Sequence, residues 1–257
     1  MKDEIAERSY REDAAVDSIL SCMPHLSEIE RSAVRSLPFV HRFLGRQSVI
    51  MREGEQLNKL LVVCNGWAMR QVTLADGRRQ ILDFALPGDV IGLHVDSNQI
   101  ATCDVIAMTG VEMAEIDFAE IARRTQSIPA IGVGMNIFFL REMTMLSDQV
   151  LRLGRMTAYE RVCHLLLEIY YRQSEAGRVG HKGAVDFPIT QMIMADSLGL
   201  SVVHVNRQIM QLRRKGLVTL NRRSLVVHDQ AALQEISEYR PRRLNAVPGY
   251  LGMHAAE

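Results

Sequence analysis

The sequence predicts an α+β chain of three parts: an N-terminal antiparallel β-roll sensor domain, a long dimerisation helix and a C-terminal winged helix-turn-helix. Three observations lead there. Short apolar runs broken by glycine turns fill residues 40–118, an apolar seam of helical period runs from about Ile128 to Leu153, and TQMIMADSLGLSVVHVNRQIMQLRRK at 190–215 has the pattern of two short helices joined at a glycine. The implied boundaries are 1–126 for the roll with its N-terminal helices, 127–155 for the dimerisation helix, 156–230 for the winged helix-turn-helix, and 231–257 for a C-terminal helix and flexible tail.

Composition agrees with that division. A chain of 257 residues, 47% hydrophobic and 23% charged, is long enough for about two domains with real cores. The charged N-terminus MKDEIAERSYRED is not a signal peptide, and no run of about 18 apolar residues is present, so a cytoplasmic protein with no membrane partner is expected. Cys22, Cys64, Cys103 and Cys163 lie far apart with no C-x-x-C spacing, which points to buried free thiols and to neither a zinc site nor an iron–sulfur cluster.

In the roll, SVIMREGE, LLVVCNGWAMRQVTL, QILDFALPGDVIG, ATCDVIAM and VEMAEID read as strands. Ala75-Asp76-Gly77 reads as a hairpin turn, and helices near Glu28–Arg35 and Phe118–Arg124 flank the domain. Along the long helix, Ile128, Ile131, Met135, Phe139, Met143, Leu146, Val150 and Leu153 recur at intervals of three or four residues. Such a seam wants a partner helix, here that of a parallel homodimer, while Phe138, Leu140 and Met145 widen the apolar surface toward the helix's own roll. Gly154 is the expected hinge between the halves.

The C-terminal segment points to DNA. Gly199 can take the left-handed conformation that ends the first helix, and Ser201 is placed to cap the second. Ala195, Leu198, Val205, Ile209 and Leu212 fall where crossing helices bury them, leaving Val203, Asn206 and Arg207 outward. LVTL and LVV around Asn221, Arg222, Arg223 and Ser224 then form a wing. Between Arg155 and Gln230 eleven Lys or Arg face six Asp or Glu in a chain of formal net charge zero, an asymmetry that suits a polyanionic partner for this segment alone.

The order of parts resembles the CRP/FNR family of bacterial transcription regulators over about residues 20–230, with LPGDVIG at 86–92 similar to the family's roll turn and SLGLSVVHVNRQIMQLRRKGLV at 197–218 similar to its helix-turn-helix. The resemblance implies a two-fold dimer on a palindromic operator, its recognition helices about 34 Å apart. Members that bind cyclic AMP continue the turn with Glu-Leu and later place Arg-Ser on the phosphate; Leu93-His94 and Ala101-Thr102 stand here, so cyclic AMP is not expected. FNR-like oxygen sensors carry an N-terminal cysteine cluster, for which Cys22 alone is no substitute. His94 or Cys103 could be named as haem ligands, but a lone His or Cys in a roll reads first as packing or surface. The effector is left unknown, and no cofactor or metal is identified.

The family's base-reading glutamate is replaced by Val203, which offers only apolar contact to a thymine methyl. Arg207 is retained and suits guanine, while Asn206 suits adenine. Thr190, Gln191, Ser201, His204, Arg213, Arg214, Lys215, Arg222 and Arg223 are candidates for phosphate contact and positioning, with His204 as readily a helix-packing residue. RNA polymerase is a further candidate partner. The competing class is a small-molecule-binding regulatory module whose C-terminal domain docks a protein. An enzyme is not expected, since no nucleophile–base pair or phosphate loop is seen and Gly132-x-Gly134 is too short for a dinucleotide fingerprint. Arg240, Arg242 and Arg243 could add a phosphate contact from the tail.

Overall fold

The computed structural model describes Leu20 and residues 26–241. Cys22, Arg242 and Arg243, and the tail expected beyond them, lie outside the described residues. The described residues form two compact bodies, one holding those up to Arg70 with Phe84–Thr144, the other Gln71–Asp83 with 145–241. The division falls inside the long helix, and a hairpin tip from the roll sequence belongs to the C-terminal body.

The first body opens with helix α1 (Glu28–Arg35), which starts because Ser27 and Glu30 satisfy each other's backbone N–H groups in a capping box. Eight strands follow: β1 (Val40–Leu44), β2 (Val49–Met51), β3 (Lys59–Asn65), β4 (Ala68–Thr73), β5 (Arg79–Ala85), β6 (Val90–Ile91), β7 (Asp104–Ala107) and β8 (Val111–Asp117). They make two four-stranded sheets, ordered β1-β8-β3-β6 and β2-β7-β4-β5. β3 is paired antiparallel on both sides, and its Leu60-Leu61-Val62-Val63 run is buried throughout, as its unbroken apolar sequence requires. At Gly66 the backbone φ is +81° and an added Cβ would lie 2.0 Å from the Gly110 carbonyl oxygen, so only glycine fits. Helix α2 (Phe118–Ser127) and the first half of helix α3 (Pro129–Arg155) close the core, Ile121, Ile131 and Phe138 packing with Leu60, Val62 and Ile116.

Two ion pairs are buried in this body. Asp89 of the LPGDVIG turn accepts the Leu86 N–H at 2.6 Å, which folds the turn, and meets Arg141 of α3 at 2.9 Å. Arg70 is fully buried; its guanidinium donates to the Val90 carbonyl and to Glu142 at 3.3 Å. Such residues are buried only when paired.

In the second body, α3 continues through Gly154 to Arg155, and the helix breaks at Met156 and Thr157, within the 153–159 segment that contains the expected hinge. Thr157 supplies the reason: with Glu160 it forms a capping box that starts a new helix, α4 (Ala158–Glu175). Strand β9 (Ala184–Asp186), helices α5 (Gln191–Leu198) and α6 (Val202–Arg214), strands β10 (Val218–Leu220) and β11 (Ser224–Val227), and helix α7 (Gln230–Ser237) complete it. The wing is a three-stranded antiparallel sheet, β10-β11-β9. Glu168 of α4 sits buried between Arg152 and Arg172, and Arg152 also donates to Gln149 at 2.7 Å and to His164 Nδ1.

The seam expected on the long helix divides in two. Ile131 is buried in the first body's own core, and Met135 is half-buried against it. Leu153 is half-buried, with a methyl 3.6 Å from where a Cβ on Gly199 would stand. The middle of the seam is open: Phe139, Met143, Leu146 and Val150 are exposed, Met143 and Val150 by 61% and 64%, joined by Leu140 and Leu151.

Candidate nucleic-acid interface

Three caps build the helix pair. Thr190 accepts the Ile193 N–H and starts α5; Gly199, at φ 61° and ψ 38°, ends it; Ser201 accepts the His204 N–H and starts α6. The three-residue turn Gly199–Ser201 leaves the helices crossed, with Ala195, Leu198, Val205, Ile209 and Leu212 all buried between them and the rest of the body. Val203 is 78% exposed, and Asn206 and Arg207 are exposed beside it, one turn along the same face. Among the described residues Arg207 has no ion-pair or hydrogen-bond partner, so its guanidinium remains available to an incoming acceptor. Asn206 donates from its side-chain amide to Gln191 Oε1 at 3.0 Å.

The expected positioning residues separate by what they touch. Thr190 and Ser201 are caps, and the Ser201 hydroxyl also lies 3.1 Å from His204 Nδ1, so these two side chains face each other. Arg213 donates to the Leu220 carbonyl and ties the end of α6 to the wing. Arg214 and Lys215 are exposed at the last turn, Lys215 with its ammonium 5.2 Å from the centre of the Tyr159 ring. Arg222 and Arg223 are exposed on the β10–β11 turn, Arg223 at 3.9 Å from Asp186. The positive excess read from the sequence is therefore partly internal: Arg172 is buried against Glu168, and Arg161 donates to the Met156 and Leu198 carbonyls at 2.8 and 2.9 Å.

Several residues that steady this site carried no sequence signal. Arg79 of the β4–β5 hairpin pairs with Asp196 of α5 through Nε at 3.0 Å, and Gln80 and Gln149 donate to the Ser197 carbonyl at 3.1 and 2.8 Å. A partner 117 positions away leaves no local pattern in the sequence around Arg79.

At the positions where cyclic-AMP-binding members carry charged groups, the roll has Leu93, His94, Ala101 and Thr102. Leu93 packs on the apolar core, Ala101 is buried, and the Thr102 hydroxyl donates to the His94 carbonyl at 3.1 Å, so none of these positions offers the charge a phosphodiester needs. Arg70 supplies a cation, but its guanidinium is held by Glu142 and Val90. Of the two residues named as conceivable haem ligands, Cys103 is fully buried, and His94 Nε2 lies 3.8 Å from Glu142. No helix of the described residues is long and apolar enough to cross a membrane.

Comparison with known proteins bears on the same two segments. Residues 160–236 match the family model of the Crp-like helix-turn-helix domain, and residues 41–127 that of the cyclic nucleotide-binding domain. The chain is 31% identical over 180 residues to the transcriptional activatory protein AadR of Rhodopseudomonas palustris, covering 70% of this chain and 74% of that one. It is 30% identical over 209 residues to the transcriptional activator protein FnrL of Cereibacter sphaeroides, covering 80% and 83%. The solved structure of FixK2 from Bradyrhizobium japonicum superposes with a TM-score of 0.71 at 25% identity, over 80% of this chain and all of that one.

Proposed function

From the premise that this chain belongs to the CRP/FNR family of DNA-binding transcription regulators, we propose that it binds a palindromic operator as a homodimer, each copy laying α6 in a major groove. The observation that carries this reading is the split of α6 into a buried face, Val205, Ile209 and Leu212, and an exposed one, Val203, Asn206 and Arg207. Arg207 takes guanine through its two-pronged guanidinium, Asn206 takes adenine, and Val203 meets a thymine methyl. Arg214, Lys215, Arg222 and Arg223 supply the salt-dependent attraction to phosphates. The pair forms through Phe139, Met143, Leu146 and Val150, whose exposure on one helix is otherwise an aggregation hazard. Relatives named as activators favour a contact with RNA polymerase and positive control. Input enters through the roll, by a signal other than a cyclic nucleotide.

The test is selection of bound sequences from random duplex DNA, without added ligand, at two salt concentrations. A palindrome is expected, with binding that falls steeply with salt and a guanine preference that Arg207→Ala lowers by about 5- to 150-fold. Binding independent of salt, or no enrichment even with cell extract present, would favour the alternative in which the C-terminal body docks a protein.

A further inference from the structure

Gln191 is the first residue of α5, and its side-chain oxygen accepts the Asn206 amide at 3.0 Å across the helix crossing. We infer that Gln191 is a specificity-determining residue: it sets the orientation of the Asn206 amide and so fixes which base pair α6 reads at that position. This rests on the DNA-reading assignment of α6 above.

The argument is one of hydrogen-bond inventory. A side-chain amide has two N–H donors on nitrogen and lone pairs on oxygen, and an exposed asparagine turns its amide over freely. Adenine presents an acceptor and a donor side by side in the major groove, whereas guanine presents two acceptors, so an amide discriminates only if its N–H and C=O arrive in a set order. Acceptance by Gln191 commits Asn206 nitrogen to the α5 side. One N–H is used there; the second N–H and the carbonyl oxygen remain for the base, and both belong to an exposed side chain. Gln191 is itself committed by the same bond. With its oxygen turned to Asn206, its own amide nitrogen is the end left for other partners. It stands at a helix start, where backbone N–H groups favour an anion, and Thr190 takes only the Ile193 N–H. Val203 and Arg207 have no such support from α5 among the described residues.

The experiment is the duplex selection, followed by competition against each single base-pair change in a half-site, with wild type, Asn206→Ala, Gln191→Ala, Gln191→Glu and the double alanine variant. Asn206→Ala is expected to erase preference at one base pair by about 5- to 150-fold. Gln191→Ala is expected to weaken preference at that same base pair by about 2- to 10-fold, and the double variant to be no worse there than Asn206→Ala. Gln191→Glu keeps the acceptor, so base preference persists while affinity falls for every sequence alike, because a carboxylate near phosphates repels them. Unfolding midpoints of the variants are measured alongside and should match wild type. The inference is overturned if Gln191→Ala lowers binding uniformly, which marks a plain phosphate contact, or if its effect falls on another base pair or adds to that of Asn206→Ala. If Arg207→Ala changes guanine preference but Asn206→Ala changes none, the DNA-binding reading stands and this inference falls. Absence of any selected sequence removes both.

Discussion

Glu168→Gln tests the polar core of the DNA-binding body. Glu168 is flanked by Arg152 and by Arg172 at 3.3 Å, all three buried, with His164 and Gln149 completing Arg152's contacts. Burial alone pushes the Glu168 carboxyl up, but the two guanidiniums outweigh it and hold the group below its ordinary value. Replacing the carboxylate by an amide keeps the shape and an acceptor while leaving two buried cations uncompensated. Breaking a buried pair costs about 3–5 kcal/mol, and the retained acceptor favours the lower end, about 3 kcal/mol. With an m-value of about 2 kcal/mol/M in urea, the unfolding midpoint drops by about 1.5 M. The sign of the pH dependence follows from a folded value lying below the unfolded one. The contribution is fully present above the ordinary carboxyl value of 4.5 and fades as pH falls through the lower folded value. The gap between wild type and variant should therefore be widest near neutrality and narrow in acid. Urea titrations from pH 7 to pH 3 measure it. Equal midpoints at pH 7, or a gap that does not narrow, would refute the reasoning. A triple Arg152→Met, Glu168→Leu, Arg172→Met variant should recover most of the loss, because apolar packing removes the stranded charge.

Other outcomes follow from burial and geometry. Val150→Glu and Met143→Glu are expected to yield folded monomers in sedimentation, whereas Ile131→Ala should destabilise the first body by about 2–4 kcal/mol; persistent dimers in both charge variants would remove the stripe from the interface. Gly66→Ala, with its Cβ driven against the Gly110 carbonyl, should cost well over about 3 kcal/mol. Gly199→Ala meets only ordinary contacts, the nearest at 3.6 Å, and should cost about 1–2 kcal/mol from backbone strain; denaturant unfolding that ranks them the other way contradicts this. Burial pushes the Cys163 thiol up to about 12, with Lys215 only partly opposing it. At pH 8 it should resist alkylation in the native chain and react after denaturation, and rapid native labelling seen by mass spectrometry would contradict the packing.

Much of this was legible because it is local. The Gly199 turn, the Ser201 cap and the spacing of Val205, Ile209 and Leu212 lie within one stretch of chain and set the exposed face of α6 directly. The hairpin around Gly77, at φ 85°, was readable for the same reason. Periodicity was a weaker guide on α3. Ile131 and Val150 occupy the same seam, but one is buried in the roll core and the other exposed, because a repeat states which residues share a face and not what that face meets. Gly154 lies within the helix, and the chain breaks just after it because the Thr157–Glu160 capping box, with its two reciprocal hydrogen bonds, starts a new helix.

By itself the sequence determined the order of parts, the helix pair joined at Gly199 and which residue types stand at 93–94 and 101–102, since these depend on residue type and near-neighbour spacing. Tertiary structure alone decided how the charges are used: that Arg70 is engaged by Glu142, that Arg79 holds Asp196, that Arg172 and Arg161 face inward while Arg207 faces out, and that Asn206 leans on Gln191. The physical reason is that a long cationic or amide side chain is equally at home in water or beside a buried acceptor. Which of these applies depends on acceptors brought near by folding, for Arg79 from 117 residues away.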